Sequence, residues 1–416
     1  MERQRVSTPV YVLGGYQSEF AKVWSRNGED ISDMVREATL GALSDAQLDA
    51  EAIETIHVGN AFAELQRGQA HLGSMVAQMV PELWGVPAMR HEGACASSSL
   101  AALAAMAEIE AGRYDCALVL GVEELKNLHG DQSSVNQNAA AWQGHEDIDC
   151  RFMWPAAFGL MAQEYERRYG LKREYLNRIA AINYGNAKRN PNAQTRKWNF
   201  EPAAFTDDDV LNPLIEPGTR RQDCGQITDG AAAVILAGPR FAATHAARLG
   251  LHLGQLPRIL GWGHRNAPLR LRDKLERSAG QPYVFPHVRQ TITEAFARAG
   301  IADVMQLDGI ETHDCFTTTE YMAIDHFGLT PPGQSWQAID RGLIEFGGKL
   351  PINPSGGLIG LGHPVGATGA RMLLDATRQV TGQAGDYQVE GARTFATLNI
   401  GGSCATVCSF VVGVRD

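Results

Sequence analysis

Apolar positions along the chain fall into two periods. Short apolar runs closed by Gly, Asn or Pro recur at Pro9–Leu13, Thr55–Val58, Cys116–Gly121, Asp229–Ala237, Arg258–Gly263, Leu307–Thr312, Thr394–Leu398 and Ala405–Val412. These predict strands. Between them, apolar residues three and four apart predict helices over Ile31–Leu48, Ala70–Val80, Leu100 to about Gly112, Val288–Ala299 and Thr319–Phe327, and after Ala370 to about Gln379. Strands alternating with helices imply β-α-β crossovers and a mostly parallel sheet.

The alternation breaks at Glu123. From about Leu125 to Arg221 the chain is rich in Asn, Gln, Trp and charge, with helices predicted over Met161–Tyr169 and Lys172–Lys188 and no clear strand. This reads as an insertion riding on an α/β core. The expected organisation is a first half over 1–124 and 226–255, an inserted loop domain over 125–225, and a second half over 256–416. In each half a loop of small residues leads into a long helix and then a strand, which points to a structural duplication without residue-level repeat.

Those two loops carry the first candidate chemistry. In one, Gly93-Ala94-Cys95-Ala96-Ser97-Ser98-Ser99 places a thiol where a strand becomes a helix. Free helix N–H groups and the helix dipole favour a thiolate there. A small core cysteine is the alternative. In the other, Gly362-His363-Pro364-Val365-Gly366-Ala367 sets an imidazole among residues with almost no side chain. A phosphate cradle is the competing reading, but neither G-x-x-x-x-G-K-[ST] nor a well-placed G-x-G-x-x-G occurs. His313-Asp314-Cys315-Phe316 follows a predicted strand, where α/β sheets gather their ligand sites. Asn399-Ile400-Gly401-Gly402 allows backbone to approach a ligand closely. His313, Cys315, Cys404 and Cys408 match no familiar zinc spacing, so no metal is expected.

Composition narrows the class. The 416 residues allow two or three domains, and a net charge of −10 argues against nucleic acid as a partner. Seven cysteines, an odd number with no C-x-x-C pair, point to a reducing, cytoplasmic setting. The N-terminus lacks a signal-peptide pattern and no apolar run is long enough to span a membrane, so no membrane partner is expected. Basic pairs in the insertion (Lys188-Arg189, Arg196-Lys197, Arg220-Arg221) are either solvated surface or contacts to a phosphorylated cofactor. Trp142, Trp154, Phe158 and Met161 either line an apolar acyl pocket or form the insertion's own core.

Taken in order, these motifs resemble the thiolase superfamily. Cys95 in its Gly-Ala-Cys-Ala-Ser-Ser turn, Met161-Ala162-Gln163-Glu164-Tyr165, Asp229-Gly230-Ala231-Ala232-Ala233, the His-Asp-Cys-Phe tetrad, Gly362 to Gly369 and Asn399 to Gly402 carry the resemblance over nearly the whole chain. The tetrad is similar to that of sterol-carrier-protein-2-type thiolases. The common type has Asn-Glu-Ala-Phe there and a second catalytic Cys in Cys-x-Gly, where this chain has Asn399. No sterol-carrier domain is expected after Asp416.

The resemblance implies duplicated α/β halves, each a five-stranded mixed sheet between helix layers, with an inserted loop domain. It implies a homodimer or homotetramer, a companion subunit in some relatives, no tightly bound cofactor, and coenzyme A and acyl-CoA as substrates. Carried over by position, Cys95 accepts the acyl group, His363 takes its proton, His313 holds a water or an oxyanion, and Cys315 replaces the missing acid/base thiol. The backbone of Cys95 and of Gly401 and Gly402 binds the acyl oxyanion. Arg220, Arg221 and Met161 are the expected coenzyme contacts, although Asp223-Cys224-Gly225-Gln226 lacks the common type's Ser beside the coenzyme. The implied activity is cleavage of 3-ketoacyl-CoA from fatty acids or steroid side chains, or the reverse condensation. The alternatives are a decarboxylating ketosynthase-like enzyme using Cys95, His313 and His363, and a catalytically weak acyl-CoA-binding subunit.

Overall fold

The computed structural model describes residues 8–415. Its strands, in chain order, are β1 (Val10–Gln17), β2 (Thr55–Gly59), β3 (Ala88–His91), β4 (Cys116–Glu123), β5 (Leu214–Glu216), β6 (Thr219–Arg220), β7 (Gly230–Ala237), β8 (Arg258–Asn266), β9 (Gly309–Thr312), β10 (Thr394–Gly401) and β11 (Thr406–Gly413). Nine of them form one mixed sheet in the order β3-β2-β4-β7-β1-β8-β11-β10-β9, while β5 and β6 make a separate hairpin. The central strands β4 and β7 are buried along their whole length, which is why they read as unbroken runs of small apolar residues rather than as an alternation.

The pairing sense exposes the duplication. Outward from β1, the first half runs antiparallel to β7, antiparallel to β4, then parallel to β2 and β3. Outward from β8, the second half runs antiparallel to β11, antiparallel to β10, then parallel to β9. Within the sheet the halves are joined by the short β1–β8 pairing, Val10 with Ile259 and Tyr11 with Arg258. The expected fifth strand of the second half is reduced to a single parallel bridge, Ile310 to Ile352. Pro351 and Pro354 flank that bridge, and proline has no N–H to extend a ladder.

A second correction concerns β1, which does not stop at Gly14-Gly15 but runs through them with a bulge between Val12 and Gly14. A Cβ on Gly15 would lie 2.4 Å from the Ala233 carbonyl oxygen and 2.8 Å from Leu374 Cδ1. The glycine allows close packing of helix Thr368–Thr381 against the sheet; it is not a terminator. That helix and its counterpart Ser97–Glu110 touch each other and the strands of the first half. Leu373 and Leu374 are buried in this layer, and truncating either to Ala removes about 2–5 kcal/mol.

Residues 124–229 add no strand to the large sheet. Two of their helices, Met153–Tyr169 and Arg173–Ala187, share a core with the second half, where Phe158, Met161 and Ile179 join Phe285, Phe316 and Tyr321. The asparagines of this segment have a structural use. Asn186 and Asn190 donate to the carbonyls of Asn353 and Ser355, and Asn183 donates to Asp314 and Glu320. The glycine-rich loop is thereby tied to the insertion along one helix and the turn after it.

Candidate active site

Each candidate side chain sits at the junction of a strand with a loop. β3 leads into a short turn, Ala94–Ala96, and Cys95 lies two residues before helix Ser97–Glu110. Ala94 adopts φ 51°, a left-handed conformation unfavourable for alanine, so the turn has to be held. Ser97 holds it, donating to the Ala94 carbonyl at 2.6 Å and accepting from the Gly93 N–H at 3.1 Å. His363 follows Gly362, whose φ of 129° and ψ of 161° are open essentially to glycine alone. Its backbone N–H donates to Thr228 Oγ1 at 3.0 Å. His313 and Cys315 follow the end of β9.

The structure brings Cys95, His313 and His363 together, one ligand-type atom of each lying within 4.8 Å of the other two. The two imidazoles meet edge to face, with centroids 5.2 Å apart. Their hydrogen bonds assign different roles. His313 Nδ1 faces two donors, the Asn399 amide at 3.1 Å and the Ile400 N–H at 3.3 Å. The second is backbone and cannot be reversed, so Nδ1 is the acceptor and the ring proton sits on Nε2. Among the described residues that nitrogen is buried without a partner, and it presents an N–H to the site. His363 Nδ1 lies 2.8 Å from Thr368 Oγ1, whose own proton goes to the Pro364 carbonyl. Nδ1 therefore donates, and the unpartnered Nε2 carries a lone pair. One imidazole is a donor and the other a base.

The same assignment weighs against a metal. The three atoms are close enough to share an ion, but ligation through His313 Nε2 would turn an Nδ1–H onto the fixed Ile400 N–H. Asn399, where the common thiolase type carries its second thiol, is buried and lies behind His313, its Oδ1 accepting from Ser99 Oγ at 2.7 Å.

Burial sets the protonation states. It pushes the Cys95 thiol up to about 12, against the N–H groups of Gly402 and of Cys95 itself, which are directed at the sulfur. This corrects the expectation of a thiolate, because desolvation outweighs the helix start. Burial, then the Arg371 charge, lowers His363 to about 3. Burial, then the charges of His363 and Arg371, lowers His313 well below the ordinary imidazole value. At neutral pH the resting pair is thiol and neutral imidazole. Alkylation of Cys95 by iodoacetamide, followed by mass spectrometry, is therefore expected to accelerate steadily from about pH 7 to about pH 10. A rate already on a plateau at neutral pH would reveal a preformed thiolate–imidazolium pair instead.

A cavity of about 580 Å³ opens onto the cluster, lined by Cys95, Cys315, His363 and Gly402 at one end and by Phe152, Trp154, Phe158 and Phe316 along an apolar wall. Phe158 and Phe316 stack with centroids 4.5 Å apart. Cys315 lies on this cavity, and burial, then the neighbouring Cys95 charge, holds its thiol well above the ordinary value. Arg221 also lines the cavity. Arg220 does not: it donates to Asp209 at 2.8 Å and to the Asn212 carbonyl at 2.7 Å. Met161 has no exposed surface and packs in the core. Of the three expected coenzyme contacts, only Arg221 reaches the cavity. Trp142 is half exposed, its ring tilted against that of His145.

One residue was missed. Glu123, at the end of β4, is fully buried and accepts from the N–H groups of Ala61, Phe62 and Gly366 and from the Asn60 amide at 2.9–3.0 Å. It ties the loop carrying His363 to the first half. Its only sequence signal is an acid closing an otherwise apolar run.

Comparison with known proteins agrees with this geometry. Residues 10–209 match the family described as "Thiolase, N-terminal domain", and residues 273–414 match "Thiolase C-terminal domain-like". The chain belongs to the thiolase family. It is 30% identical over 410 residues to the acetyl-CoA acetyltransferase of Methanothermobacter thermautotrophicus, covering 95% of this chain and 97% of that one. It is also 30% identical over 419 residues to sterol carrier protein 2 of Rattus norvegicus, covering 98% of this chain and 72% of the other. Two solved structures share the thiolase fold across its length. The Ltp2-ChsH2(DUF35) aldolase superposes with a TM-score of 0.75 at 17% identity, covering 98% of both chains. Human mitochondrial 3-ketoacyl-CoA thiolase superposes with 0.66 at 15% identity, covering 99% of this chain and 100% of that one. Among the described residues, no helix of this thiolase-family chain is long and apolar enough to cross a membrane.

Proposed function

We propose that the chain cleaves 3-ketoacyl-CoA to acetyl-CoA or propionyl-CoA and a shortened acyl-CoA, or runs the reverse Claisen condensation, through an acyl-Cys95 intermediate. The observation that carries this reading is the division of labour in one cluster: a thiol, an imidazole lone pair and an imidazole N–H within 4.8 Å. As the Cys95 sulfur attacks the β-carbonyl, His363 Nε2 takes its proton. The oxygen that becomes charged is received by the N–H groups of Cys95 and Gly402. Breaking the Cα–Cβ bond leaves an acyl-CoA enolate, whose oxygen is held by His313 Nε2–H. Cys315, a thiol at rest, protonates the carbanion and then takes the proton of the incoming coenzyme A thiol. The test is thiolysis across acetoacetyl-CoA, long-chain and steroid-side-chain 3-ketoacyl-CoAs, with release of acetyl- or propionyl-CoA followed. The apolar wall predicts preference for the bulkier acyl groups, and absence of cleavage on all of them would sink the reading.

On this reading residues 125–225 supply much of the acyl and coenzyme surface, with 1–124 and 226–255 carrying the nucleophile and 256–416 the two imidazoles and Cys315. Arg221 is the phosphate contact. It makes no ion pair among the described residues, whereas Arg220 is held by Asp209 and Asp207. Arg221→Ala is expected to raise the dissociation constant of coenzyme A about three- to tenfold, and less at high salt, without changing that of a truncated pantetheine thioester. Equal changes for both ligands would remove Arg221 from the phosphate site.

A second reading has one observation in its favour. Cys315 lies outside the tight cluster, leaving a Cys-His-His set that suits a decarboxylating condensing enzyme. Decarboxylation of a malonyl thioester by Cys315→Ala distinguishes it. We also propose a homodimer or homotetramer in the cytoplasm, supported by the open outer edge of β3 and by seven free thiols. A companion subunit is supported by the fold shared with the Ltp2-ChsH2(DUF35) aldolase; sedimentation of the chain alone and in extract tests both.

A further inference from the structure

The turn between β10 and β11 carries Gly402, which lines the same cavity as Cys95 and whose backbone N–H favours the Cys95 thiolate. Its backbone is not relaxed. Gly402 has φ 58° and Cys404 has φ 60°, the latter unfavourable for a residue with a side chain. Such a conformation persists only where its surroundings over-determine it. Two side chains from outside the cavity supply that constraint. His287 Nε2 lies 2.8 Å from the Cys404 carbonyl, so this nitrogen donates. Lys274 Nζ donates to Ser403 Oγ at 3.0 Å, to the Pro268 carbonyl at 2.8 Å and to the Leu269 carbonyl at 2.7 Å.

The lysine is an expensive choice for a structural peg. It is 4% exposed, and all three of its donors go to uncharged acceptors. No carboxylate lies within ion-pair distance among the described residues. A buried ammonium without an ion-pair partner loses its hydration and regains hydrogen bonds and the longer-range attraction of Glu146 and Asp273. Burial lowers it to about 8, so it is still largely cationic at neutral pH. What the three bonds achieve is geometric: they join the start of helix Leu271–Arg277 to the middle of the turn, as His287 joins helix Pro286–Ala299 to its end.

We propose that Lys274 and His287 are positioning residues for acyl transfer, clamping residues 402–404 so that the Gly402 N–H meets the oxygen of the acyl group on Cys95. The inference rests on the reading of Cys95 as the acyl acceptor and adds residues that touch neither substrate nor sulfur. An oxyanion donor acts only when it stands about 3 Å from the charge it receives. Loosening the turn therefore slows the chemical step and leaves ground-state binding unchanged.

The experiment measures pre-steady-state acylation of Cys95 by acetyl-CoA, together with steady-state kcat and KM and the melting temperature. Variants are Lys274→Met, Ser403→Ala, His287→Leu and His287→Gln. The expected result is a roughly 10- to 100-fold lower acylation rate in Lys274→Met and His287→Leu, with KM for the thioester within twofold. His287→Gln keeps a donor at the same reach and is expected to recover most of the rate. Ser403→Ala, which removes one of three lysine acceptors, gives a smaller loss and decides the matter if Lys274→Met does not fold. Variants that melt earlier but acylate at the wild-type rate would overturn the proposal, as would equal rates in His287→Leu and His287→Gln. If the wild-type protein itself forms no acyl-Cys95, the assignment of the nucleophile fails first.

Discussion

Cys95→Ser is expected to lower turnover about 10⁴–10⁶-fold, the scale of losing a nucleophile whose partners act as a unit. The substitution changes one atom. An alcohol is far less acidic than a thiol, and His363, with its basicity reduced by burial, is too weak to activate it. Sulfur is also the better leaving group when coenzyme A reclaims the acyl chain. The turn that carries the residue is held by Ser97 and Glu92, which bond to the backbone of residues 93 and 94 and not to the Cys95 side chain. The melting temperature should therefore stay within a degree or two of wild type, about what a small isosteric change does. Activity within tenfold of wild type would exclude Cys95 as the nucleophile.

Cys315→Ala is expected to slow both cleavage and condensation about 10²–10⁴-fold, the usual contribution of a general acid–base group. Here the affected step differs. On the proposed mechanism attack by Cys95 needs His363 and the Gly402 N–H, neither of which depends on Cys315. Acyl transfer from acetyl-CoA onto Cys95 should persist in Cys315→Ala while carbon–carbon cleavage stops. The site offers no evident substitute, since Asn399 occupies the position of the usual second thiol and its side chain is committed to Ser99 and His313. A Cys315→Ala variant with near-normal thiolysis would remove Cys315 from the mechanism. Full decarboxylation of a malonyl thioester by that variant would move the assignment to the condensing-enzyme reading.

The candidate groups were legible because small residues announce them. Gly362 can take its backbone conformation only as glycine, and the residues around Cys95 and His363 have little else to do than leave space. The β-α-β rhythm was legible for the same kind of reason: β4 and β7 are covered on both faces and are apolar but for Glu123 at the end of β4. What sequence could not show was direction. Arg220 and Arg221 are neighbours, yet one turns to Asp209 and the other to the cavity, a choice made by the short hairpin β5–β6. Met161 and Phe158 lie three residues apart on one helix. Both join the same core, but Phe158 also lines the cavity and Met161 does not. The state of Cys95 was misjudged because a helix start predicts a lowered thiol, whereas the depth of burial that outweighs it appears only once both halves close over the site. Glu123 stayed hidden because its partners at 60–62 and 366 are distant in sequence.

The central claim is that an acyl group passes through the Cys95 sulfur. Wild-type protein mixed with acetyl-CoA, quenched in acid and digested for mass spectrometry, tests it most directly. One acetyl group is expected on the peptide containing Cys95, removed when coenzyme A is added before quenching and absent from Cys95→Ser. Product formation with no acetylated Cys95, or an acetyl group that remains after Cys95→Ser, would contradict it.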